Sequence, residues 1–372
     1  MHDRNMLLFI GNDTKSQKWA AGCKRLGHKA STANSLGDAL KHIYRKKNKP
    51  SAIIIRYLND HSSLIKTVYR LWHETLLIIL TWVFRVDLLW VCHNVDKESL
   101  IYYPAINKIR RWLIGKRAKR ILVTDPLLVN YAKMFLHRSF HNKINWICFG
   151  AIESYGAHKE WGSSTEPNVK SKVSAFVEKQ RAEARKNGKI SLIGLSLGRP
   201  ARKTSHFLYT RKVMAAAKET GFHVSFIIAF NTKKIEDKRL LPETERLKAM
   251  KNVLIFEKEI GFNEFEMKRL YDFVWKSYSD YSTPISVYVA ATAHKPLLVL
   301  EEGFLQHLVL KNKLGSIINP SLRNLEGSLT ALQEWRSLNA ERFLETRSWD
   351  IAAKQLISAV KQRKTNKHAV KQ

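Results

Sequence analysis

The stretch from residue 280 to residue 300 constrains the fold of this chain more than any other part of the sequence. Its last four residues, Leu297–Leu300, are apolar without alternation, which is typical of a strand buried on both faces of a parallel sheet. Residues 285–293 are mostly small and predict a short, closely packed helix, which Lys295-Pro296 ends. A helix followed directly by a doubly buried strand is the repeating unit of an α/β fold.

The residues ahead of that helix are suited to cap its N-terminus. Ser282 and Thr283 carry hydroxyl oxygens that can accept unpaired amide protons, and Pro284 needs no amide partner in a first turn. A helix N-terminus beside the carboxyl ends of parallel strands attracts anions, because its amide protons and its dipole point outward. The pattern therefore permits two interpretations, one more α/β unit of a core or an anion site.

Similar units recur along the 372 residues, which suffice for two domains. Two α/β sets are separated by a polar segment at 157–170, which predicts a linker. Strands are predicted at residues 7–10, 28–32, 52–56, 88–92, 121–124, 144–149, 190–193, 223–230, 252–256, 297–300 and 316–319. Helices are predicted at residues 18–26, 35–45, 62–83, 105–122, 127–136, 173–186, 205–220, 264–271, 285–293, 303–311, 322–336 and 340–362. A loop is predicted at 194–204.

Charge is the strongest compositional feature of the chain. The formal net charge is +32, with 64 lysines and arginines against 32 acidic residues. This excess favours a polyanionic partner: a membrane leaflet rich in anionic lipid, a nucleic acid or an anionic polymer. Cys23, Cys92 and Cys148 lack metal-ligand spacing, so we expect reduced thiols, no structural zinc and a cytoplasmic protein. The first residues do not resemble a signal peptide.

Two predicted helices of the first set could contact a membrane. Residues 62–83 carry apolar side chains near helical spacing, but the segment is short for a transmembrane span. It is either a core helix or one that lies in a membrane interface. Residues 105–122 form a basic helix whose cations either make a solvated face or bind anionic lipid, each worth about 1 kcal/mol near the surface. The candidates for the membrane or acceptor side are Lys108, Arg110, Arg111, Lys116 and Arg117.

The predicted strands carry a recognisable set of motifs. Residues 89–94 form a strand that ends in His93-Asn94, and residues 121–125 and 144–150 give the next two strands. In the second set, residues 190–194 are followed by Arg202-Lys203, and residues 272–278 lead into the stretch at 280–300. With these pieces in order, the chain resembles the B-type glycosyltransferases from residue 7 to about residue 362. Within them it resembles the nucleotide-sugar-dependent enzymes of bacterial surface polysaccharides.

The resemblance implies an α/β fold of two facing Rossmann-like domains. Residues 1–165 would form the acceptor domain and residues 166–340 the donor-nucleotide domain. Residues 341–372 would form a helix that crosses back to the first domain and a basic tail. Because the sequence has no Asp-x-Asp motif, we expect no metal, and no other cofactor is implied.

The resemblance also assigns a donor site. Gly194, Arg202 and Lys203 would bind the donor diphosphate, since a glycine lets phosphate approach the backbone and cations neutralise the leaving group. Thr283 and Ser286 would meet the phosphates or the sugar. Many members of the family carry two glutamates eight positions apart in the donor helix, where this chain has Tyr281 and Val289. The missing pair leaves open whether the transfer inverts or retains the anomeric configuration.

Catalysis by inversion needs a carboxylate or imidazole within reach of the acceptor hydroxyl. His93 is the first candidate, because an imidazole titrates near neutral pH and the resemblance places it near the reacting centre. Asp13, in the loop after the first strand, is the second. Asp96 and Glu98 are further candidates from the same domain.

These features predict a glycosyltransferase of the hexosyltransferase class. It would move a sugar from a nucleotide-diphosphate sugar to a lipid-linked or saccharide acceptor in surface polysaccharide biosynthesis. Its expected place is cytoplasmic, peripheral on the inner face of the cell membrane, with an anionic membrane surface as partner. One alternative is a nucleic-acid-binding protein, but no helix-turn-helix, RNP or zinc pattern supports it, and we expect no specific nucleic-acid partner. The other is a catalytically inactive B-type fold that acts as an interaction partner.

Overall fold

A computed structural model of the chain describes residues 6–44, 49–56, 58, 62–96, 102–152, 169–197, 204, 206–230, 240–257 and 268–361. The strands in this part of the chain are β1 (Met6–Ile10), β2 (Ala30–Ala33), β3 (Pro50–Ile55), β4 (Asp87–Cys92), β5 (Arg120–Val123), β6 (Ile144–Trp146), β7 (Ile190–Leu197), β8 (Phe222–Ala229), β9 (Val253–Phe256), β10 (Phe273–Trp275), β11 (Leu297–Leu300) and β12 (Gly315–Ile318).

Helices lie between most of these strands. The α-helices are α1 (Thr14–Arg25), α2 (Leu36–Tyr44), α3 (Leu64–Val83), α4 (Pro104–Arg117), α5 (Leu128–Phe135), α6 (Val169–Lys186), α7 (His206–Ala217), α8 (Leu240–Lys248), α9 (Ile285–Thr292), α10 (Gly303–Asn312), α11 (Leu325–Gln333), α12 (Leu338–Glu345) and α13 (Trp349–Lys361). A 3-10 helix spans Arg138–Lys143.

The strands form two six-stranded sheets in which every described pair is parallel. The first sheet has the order β2-β1-β3-β4-β5-β6, and the second has the order β12-β11-β10-β7-β8-β9. Parallel neighbours need crossover helices, which cover both faces of the sheet and explain why strands such as β4 and β11 are apolar runs without alternation. The predicted α/β fold class, with two Rossmann-like sheets, is confirmed.

The strand order reverses once in each sheet. In the first sheet β1 lies between β2 and β3, so the chain passes from β1 to β2 on one side and then crosses to β3 on the other side of β1. In the second sheet the reversal falls between β7 and β10. Open α/β sheets bind ligands beyond the carboxyl ends of their strands at such a switch point. The fold thus marks one place in each sheet where functional side chains are expected.

The chain divides into two compact units, Met1–Gly150 with Arg347–Gln372, and Ala151–Thr346. The boundaries predicted from the sequence lay at residues 165 and 340, and the predicted linker lies almost wholly outside the described residues. Within the first unit α13 packs against α1, where a Cβ on Gly22 would stand 2.8 Å from the Trp349 carbonyl oxygen. The last helix therefore belongs to the first unit, as the family pattern implied.

Arg347 fixes the start of that returning segment. Its Nε donates to Oδ2 of Asp125, 3.0 Å away, just beyond the end of β5, and both side chains are buried. Burial raises the pKa of the Asp125 carboxyl, and the neighbouring guanidinium only partly offsets that rise.

Some elements differ from the sequence prediction. The single helix predicted at 340–362 is wrong, because α12 and α13 are separate and the Ser348 hydroxyl accepts the Ile351 amide at the second start. The sequence prediction also missed α8. The described end of the helix predicted at 264–271 is a turn at 268–270, and the rest lies outside the described residues. Cys23, Cys92 and Cys148 are buried and form no disulfide among the described residues, and burial raises the pKa of Cys23 and of Cys148 to about 12.

Candidate functional site

The switch point of the first sheet holds a charged cluster. Asp13 follows β1 and is the N-cap of α1, where its Oδ1 accepts the amide protons of Lys15 at 2.9 Å and Ser16 at 3.1 Å. Arg56 follows β3, the neighbouring strand. Its Nη1 donates to Oδ1 and Oδ2 of Asp13 at 2.6 and 2.8 Å and to the Ser16 hydroxyl at 2.5 Å. The predicted catalytic carboxylate is therefore held by a helix cap and an arginine together.

The same arginine joins Asp13 to His93. The Nε of Arg56 donates to Nε2 of His93 over 3.3 Å, and the guanidinium lies over the Trp19 ring, 5.1 Å from its centroid. His93 comes at the carboxyl end of β4 and is buried, with its ring parallel to Phe149 within 9°. The structure thus brings the two predicted catalytic residues into one network. Its central member, Arg56, was not singled out, although a cation directly after the buried run 52–55 was a visible signal.

The electrostatics of this cluster keep Asp13 charged. Burial alone would raise the pKa of the Asp13 carboxyl, but the Arg56 guanidinium and the Ser16 amide outweigh burial and hold that pKa below its ordinary value. Asp96, the other described candidate, is half-buried in the turn after β4. Glu98 lies outside the described residues.

The switch point of the second sheet holds a neutral histidine. The amide of Ser277, after β10, donates to Nδ1 of His206 over 3.3 Å, so Nδ1 carries no proton. Nε2 therefore carries it and lies 3.0 Å from the Ser196 hydroxyl in β7. Complete burial and the nearby positive charge of Lys276 hold the pKa of His206 well below its ordinary value. Both His206 and the buried Lys276 were missed in the sequence.

The N-terminus of α9 opens at the same edge of the second sheet. Because β10 and β11 are parallel, the helix that connects them must start at their carboxyl ends. The described residues leave Oγ1 of Thr283 and Oγ of Ser286 buried without a hydrogen-bond partner. Buried hydroxyls without partners are rare in proteins, because each loses its hydration. Two of them in and before the first turn of one helix indicate a place that a ligand completes.

The predicted capping chemistry of α9 is wrong. Pro284 itself is the N-cap, in an extended conformation, and it makes no side-chain cap hydrogen bond, while the Val287 amide donates to the Pro284 carbonyl over 3.2 Å. The Ser282 hydroxyl donates instead to Oδ1 of Asp280 over 2.9 Å. The first turn of α9 therefore keeps its amide protons without a side-chain cap, which leaves that end electropositive.

Gly194 does not lie in a loop, as the sequence suggested. It lies inside β7, and a Cβ there would stand 2.7 Å from the rings of Phe226 and Phe273. The glycine makes room for those rings in the core. The predicted loop position of Gly194 is wrong, and its contact with the donor diphosphate stays a prediction. Arg202 and Lys203, the predicted diphosphate cations, lie outside the described residues.

The basic helix α4 is less solvated than its sequence suggested. Arg110 is 1% exposed and donates to both carboxylate oxygens of Glu74 in α3, each at 2.7 Å. Arg111 donates to the Val95 carbonyl, and Arg117 donates to two backbone carbonyls. Arg110 is therefore a core residue, and the interpretation of it as a lipid or acceptor contact is wrong. Lys108 and Lys116 are exposed.

Helix α3 has its polarity reversed. Three of the four side chains that it buries are polar, namely Thr67, Glu74 and Thr81. Its exposed side chains are largely apolar and include Ile65 at 82%, Trp72 at 65% and Trp82 at 73%. In water, a surface helix normally turns its apolar stripe inward. The interpretation of this segment as a core helix is therefore wrong for its apolar stripe. We define the apolar face of α3 by its exposed side chains Ile65, Val68, Tyr69, Trp72, Ile79 and Trp82.

A span across a bilayer is not what this face indicates. Across the ranges that the structure describes, every helix falls short of the length and apolarity that crossing a membrane requires. On α4, Ile109 and Trp112 are also exposed, and Nζ of Lys116 lies 4.7 Å from the Trp112 ring centroid. α4 packs against α3, so aromatic and basic side chains are combined on neighbouring helices.

Several solved glycosyltransferases are similar to this structure. Sucrose-phosphate synthase from Thermosynechococcus elongatus matches with a TM-score of 0.61 at 12% identity, over 95% of this chain and 97% of that one. WaaG, a glycosyltransferase involved in lipopolysaccharide biosynthesis, matches with a TM-score of 0.57 at 14% identity, over 96% and 100%. HepE of Anabaena, in complex with UDP and glucose, matches with a TM-score of 0.55 at 13% identity, over 96% and 99%.

These matches show that the chain has the B-type glycosyltransferase fold, which confirms the resemblance drawn from its motifs at the level of fold. No family model matches the sequence, and no curated protein matches it significantly.

Proposed function

We propose that this protein is a glycosyltransferase that takes a sugar from a nucleotide-diphosphate donor bound by its second unit. The observation that carries the proposal is the pair of buried, unpartnered hydroxyls of Thr283 and Ser286 at the uncapped N-terminus of α9. Phosphate oxygens are strong acceptors and match both the hydroxyl donors and the free amide protons of a helix start. The site lies at the switch point of the sheet, where α/β folds bind nucleotides.

Lys276 supplies the charge that this chemistry requires. Its side chain is buried directly after β10, the strand at the switch point, and its charge contributes to the lowered pKa of His206. When the bond to the sugar breaks, negative charge develops on the departing nucleotide diphosphate. A buried cation and a helix N-terminus stabilise that charge without reorganisation. Arg202 and Lys203, which follow the same β7 strand, would add to the positive charge.

We further propose that the acceptor is a lipid-linked glycan or a saccharide destined for a surface polysaccharide. WaaG, which shares the fold, acts in lipopolysaccharide biosynthesis, and HepE was crystallised with UDP and glucose. Transfer of a hexose from a nucleotide-diphosphate sugar to such an acceptor is the reaction that the fold and the donor site support best.

The donor site is tested by the thermal stability of the full chain with a panel of nucleoside diphosphates and nucleotide sugars. A nucleotide that binds only the folded protein adds about 2.7 kcal/mol of stability at a hundredfold excess over its dissociation constant. In Ser286→Ala we expect unchanged stability without ligand, because no hydrogen bond is lost, and about tenfold weaker nucleotide binding.

Ser328→Ala provides the matched control for that variant. Ser328 is an equally buried serine of the same unit, but its hydroxyl donates to the Ile317 carbonyl over 2.9 Å. It should lose stability without ligand and keep the nucleotide affinity. If no nucleotide raises the thermal stability, the enzyme hypothesis is rejected. The two alternatives, an inactive fold and a nucleic-acid-binding protein, are then favoured.

We propose in addition that the apolar face of α3 binds the surface of an anionic membrane, on the inner face of the cell membrane. Aromatic side chains with neighbouring lysines are what an interfacial helix presents to lipid headgroups and acyl chains. Here Trp72, Trp82 and Trp112 supply the rings, and the exposed Lys108 and Lys116 supply charge that complements anionic lipid.

Cosedimentation of the full chain with lipid vesicles tests this surface. Trp72→Ala with Trp82→Ala should weaken binding at least about a hundredfold, because each buried ring contributes about 1.5–3 kcal/mol. Lys108→Glu with Lys116→Glu should weaken binding only to vesicles that contain phosphatidylglycerol, and less at high salt. Tyr44→Ala, an equally exposed aromatic residue of the same unit, is the control and should change nothing. Equal binding by the tryptophan variant and the control would show that α3 is not the membrane surface.

A further inference from the structure

The hydrogen bond between Arg56 and His93 fixes the protonation state of the histidine. Nε of Arg56 lies 3.3 Å from Nε2 of His93. An arginine side chain stays protonated and only donates, so Nε2 must accept with its lone pair. The imidazole is then neutral and carries its proton on Nδ1. A doubly protonated ring would place one N–H against another.

The surroundings keep both side chains in this arrangement. Nη1 of Arg56 is tied to the Asp13 carboxylate and the Ser16 hydroxyl, so the guanidinium cannot turn without breaking three hydrogen bonds. The His93 ring is parallel to Phe149 within 9° and to Trp19 within 25°. Packed aromatic neighbours oppose a flip that would exchange the two ring nitrogens.

We infer that Arg56 is a positioning residue that holds His93 as a hydrogen-bond donor through Nδ1, so that His93 does not act as the general base. The catalytic part of this inference rests on the proposed glycosyltransferase function. The group that His93 can offer a sugar or acceptor oxygen is then an N–H, which stabilises negative charge and removes no proton. Asp13 is excluded as base by the same guanidinium, which engages both of its carboxylate oxygens.

Nitrogen NMR of the histidine side chains tests the protonation state in the full-length protein. The signals of His93 are assigned by their loss in His93→Asn. Among the described residues, Arg56 donates to the ring, Asp13 accepts from Arg56, and Nζ of Lys15 lies 4.6 Å from the centroid of the Phe149 ring that stacks on His93. We expect a proton on Nδ1 and none on Nε2 from about pH 8 to about pH 5.5, where an ordinary histidine takes up a second proton.

Arg56→Gln should release the histidine. An amide side chain can turn either its oxygen or its nitrogen toward Nε2, so the proton is no longer confined to Nδ1. We expect a mixture of the two neutral forms and uptake of a second proton within the same pH range. A proton on Nε2 of His93 in the unmodified protein, or identical spectra for the protein and Arg56→Gln, would overturn the inference.

Turnover of two His93 variants tests the donor role separately. In His93→Asn the amide nitrogen takes the place of Nδ1 and still donates, but it cannot act as a base. If His93 acts as a hydrogen-bond donor, His93→Asn should keep kcat within about tenfold of that of the unmodified protein, and His93→Ala should lose more than that. If His93 acts as the general base, kcat should fall by about 10²–10⁴-fold in both variants, because the proton acceptor is gone.

The two experiments separate the inference from the proposed function. If no sugar transfer is found with any donor, the proposed function fails, while the NMR result still decides whether Arg56 sets the state of His93. If transfer is found and both His93 variants fail equally, the donor role fails and the glycosyltransferase stands.

Discussion

The two switch points of this protein are built in opposite ways. In the first sheet, Arg56 donates to a carboxylate, a hydroxyl and an imidazole nitrogen, and each of these acceptors is occupied. In the second sheet, His206 is neutral between Ser196 and Ser277, while hydroxyls at the start of α9 have no partner among the described residues. Both places follow from the same topological rule, yet of the two it is the second where the described residues leave buried hydroxyls unsatisfied.

This difference indicates what each place is for. A fully connected polar network is rigid and holds its members in fixed orientations. A buried hydroxyl without a partner costs stability, and a bound ligand or an ordered water can supply what the protein lacks. The first switch point is therefore suited to orient His93, and the second is suited to receive an anion. The comparison makes three predictions about stability, of decreasing size.

The largest expected effect comes from breaking the first network. Arg56→Met removes the shared donor and leaves Asp13, Ser16 and His93 without it. Breaking a buried ion pair costs about 3–5 kcal/mol, and because the Asp13 side chain is 45% exposed we expect about 2–3 kcal/mol. Urea unfolding of the full chain measures this loss.

Arg25→Met is the control for that variant. Arg25 pairs with Asp350 in the same unit, but both side chains are more than half exposed, so the pair contributes about 0–1 kcal/mol. A loss in Arg56→Met no greater than in Arg25→Met would mean that the first cluster is not a connected network.

A smaller effect concerns pH and the second switch point. The pKa of His206 is well below its ordinary value in the folded protein, because the ring is buried beside Lys276. Above about pH 6.5 the ring is neutral in both states, and its contribution to stability is complete. As the pH falls below that value, the unfolded chain binds a proton that the folded chain does not. The free energy of unfolding should fall by up to about 1.4 kcal/mol per pH unit until the folded pKa is reached.

In His206→Gln the unfolded chain should take up one proton fewer in this pH range, so the free energy of unfolding should depend less on pH. Unfolding free energies measured between about pH 7.5 and about pH 5 should fall less steeply for this variant than for the unmodified protein. His223→Gln is a graded control, since burial also lowers the pKa of His223 but its ring is only half-buried, so its slope should change less. Equal slopes for all three proteins would show that His206 is not held neutral.

Most of the strands were predictable because they are short apolar runs, and a doubly buried parallel strand allows little else. His93 and Asp13 could also be singled out, since each follows such a run. Their connection could not be predicted, because Arg56 meets Asp13 only when β3 lies beside β1, and strand order is a tertiary property. Gly194 shows the reverse error, since a glycine that admits Phe226 and Phe273 into a core looks the same in sequence as a glycine in a loop.

The helices were harder for a similar reason. Periodicity identified α3 and α4, but it could not tell which stripe faces inward. The cation Arg110 is buried because Glu74 meets it from the neighbouring helix, and the apolar stripe of α3 is consequently left outside. Helix orientation is decided by such pairings between elements, which a single sequence does not display.

The smallest expected effect is that of Thr283→Val, for which Thr210→Val in the same unit is the reference. Thr210 and Thr283 are both buried, but Oγ1 of Thr210 accepts from Nε1 of Trp275 at 3.0 Å and donates to the His206 carbonyl at 2.9 Å. Thr210→Val should therefore cost about 1–3 kcal/mol, since it leaves the indole N–H unpaired. Thr283→Val removes a hydroxyl that has no partner, so the stability of the ligand-free protein should stay within about 0.5 kcal/mol or rise. Urea unfolding of both variants makes the comparison, and a loss in Thr283→Val as large as that in Thr210→Val would mean that its hydroxyl is satisfied within the protein and does not wait for a ligand.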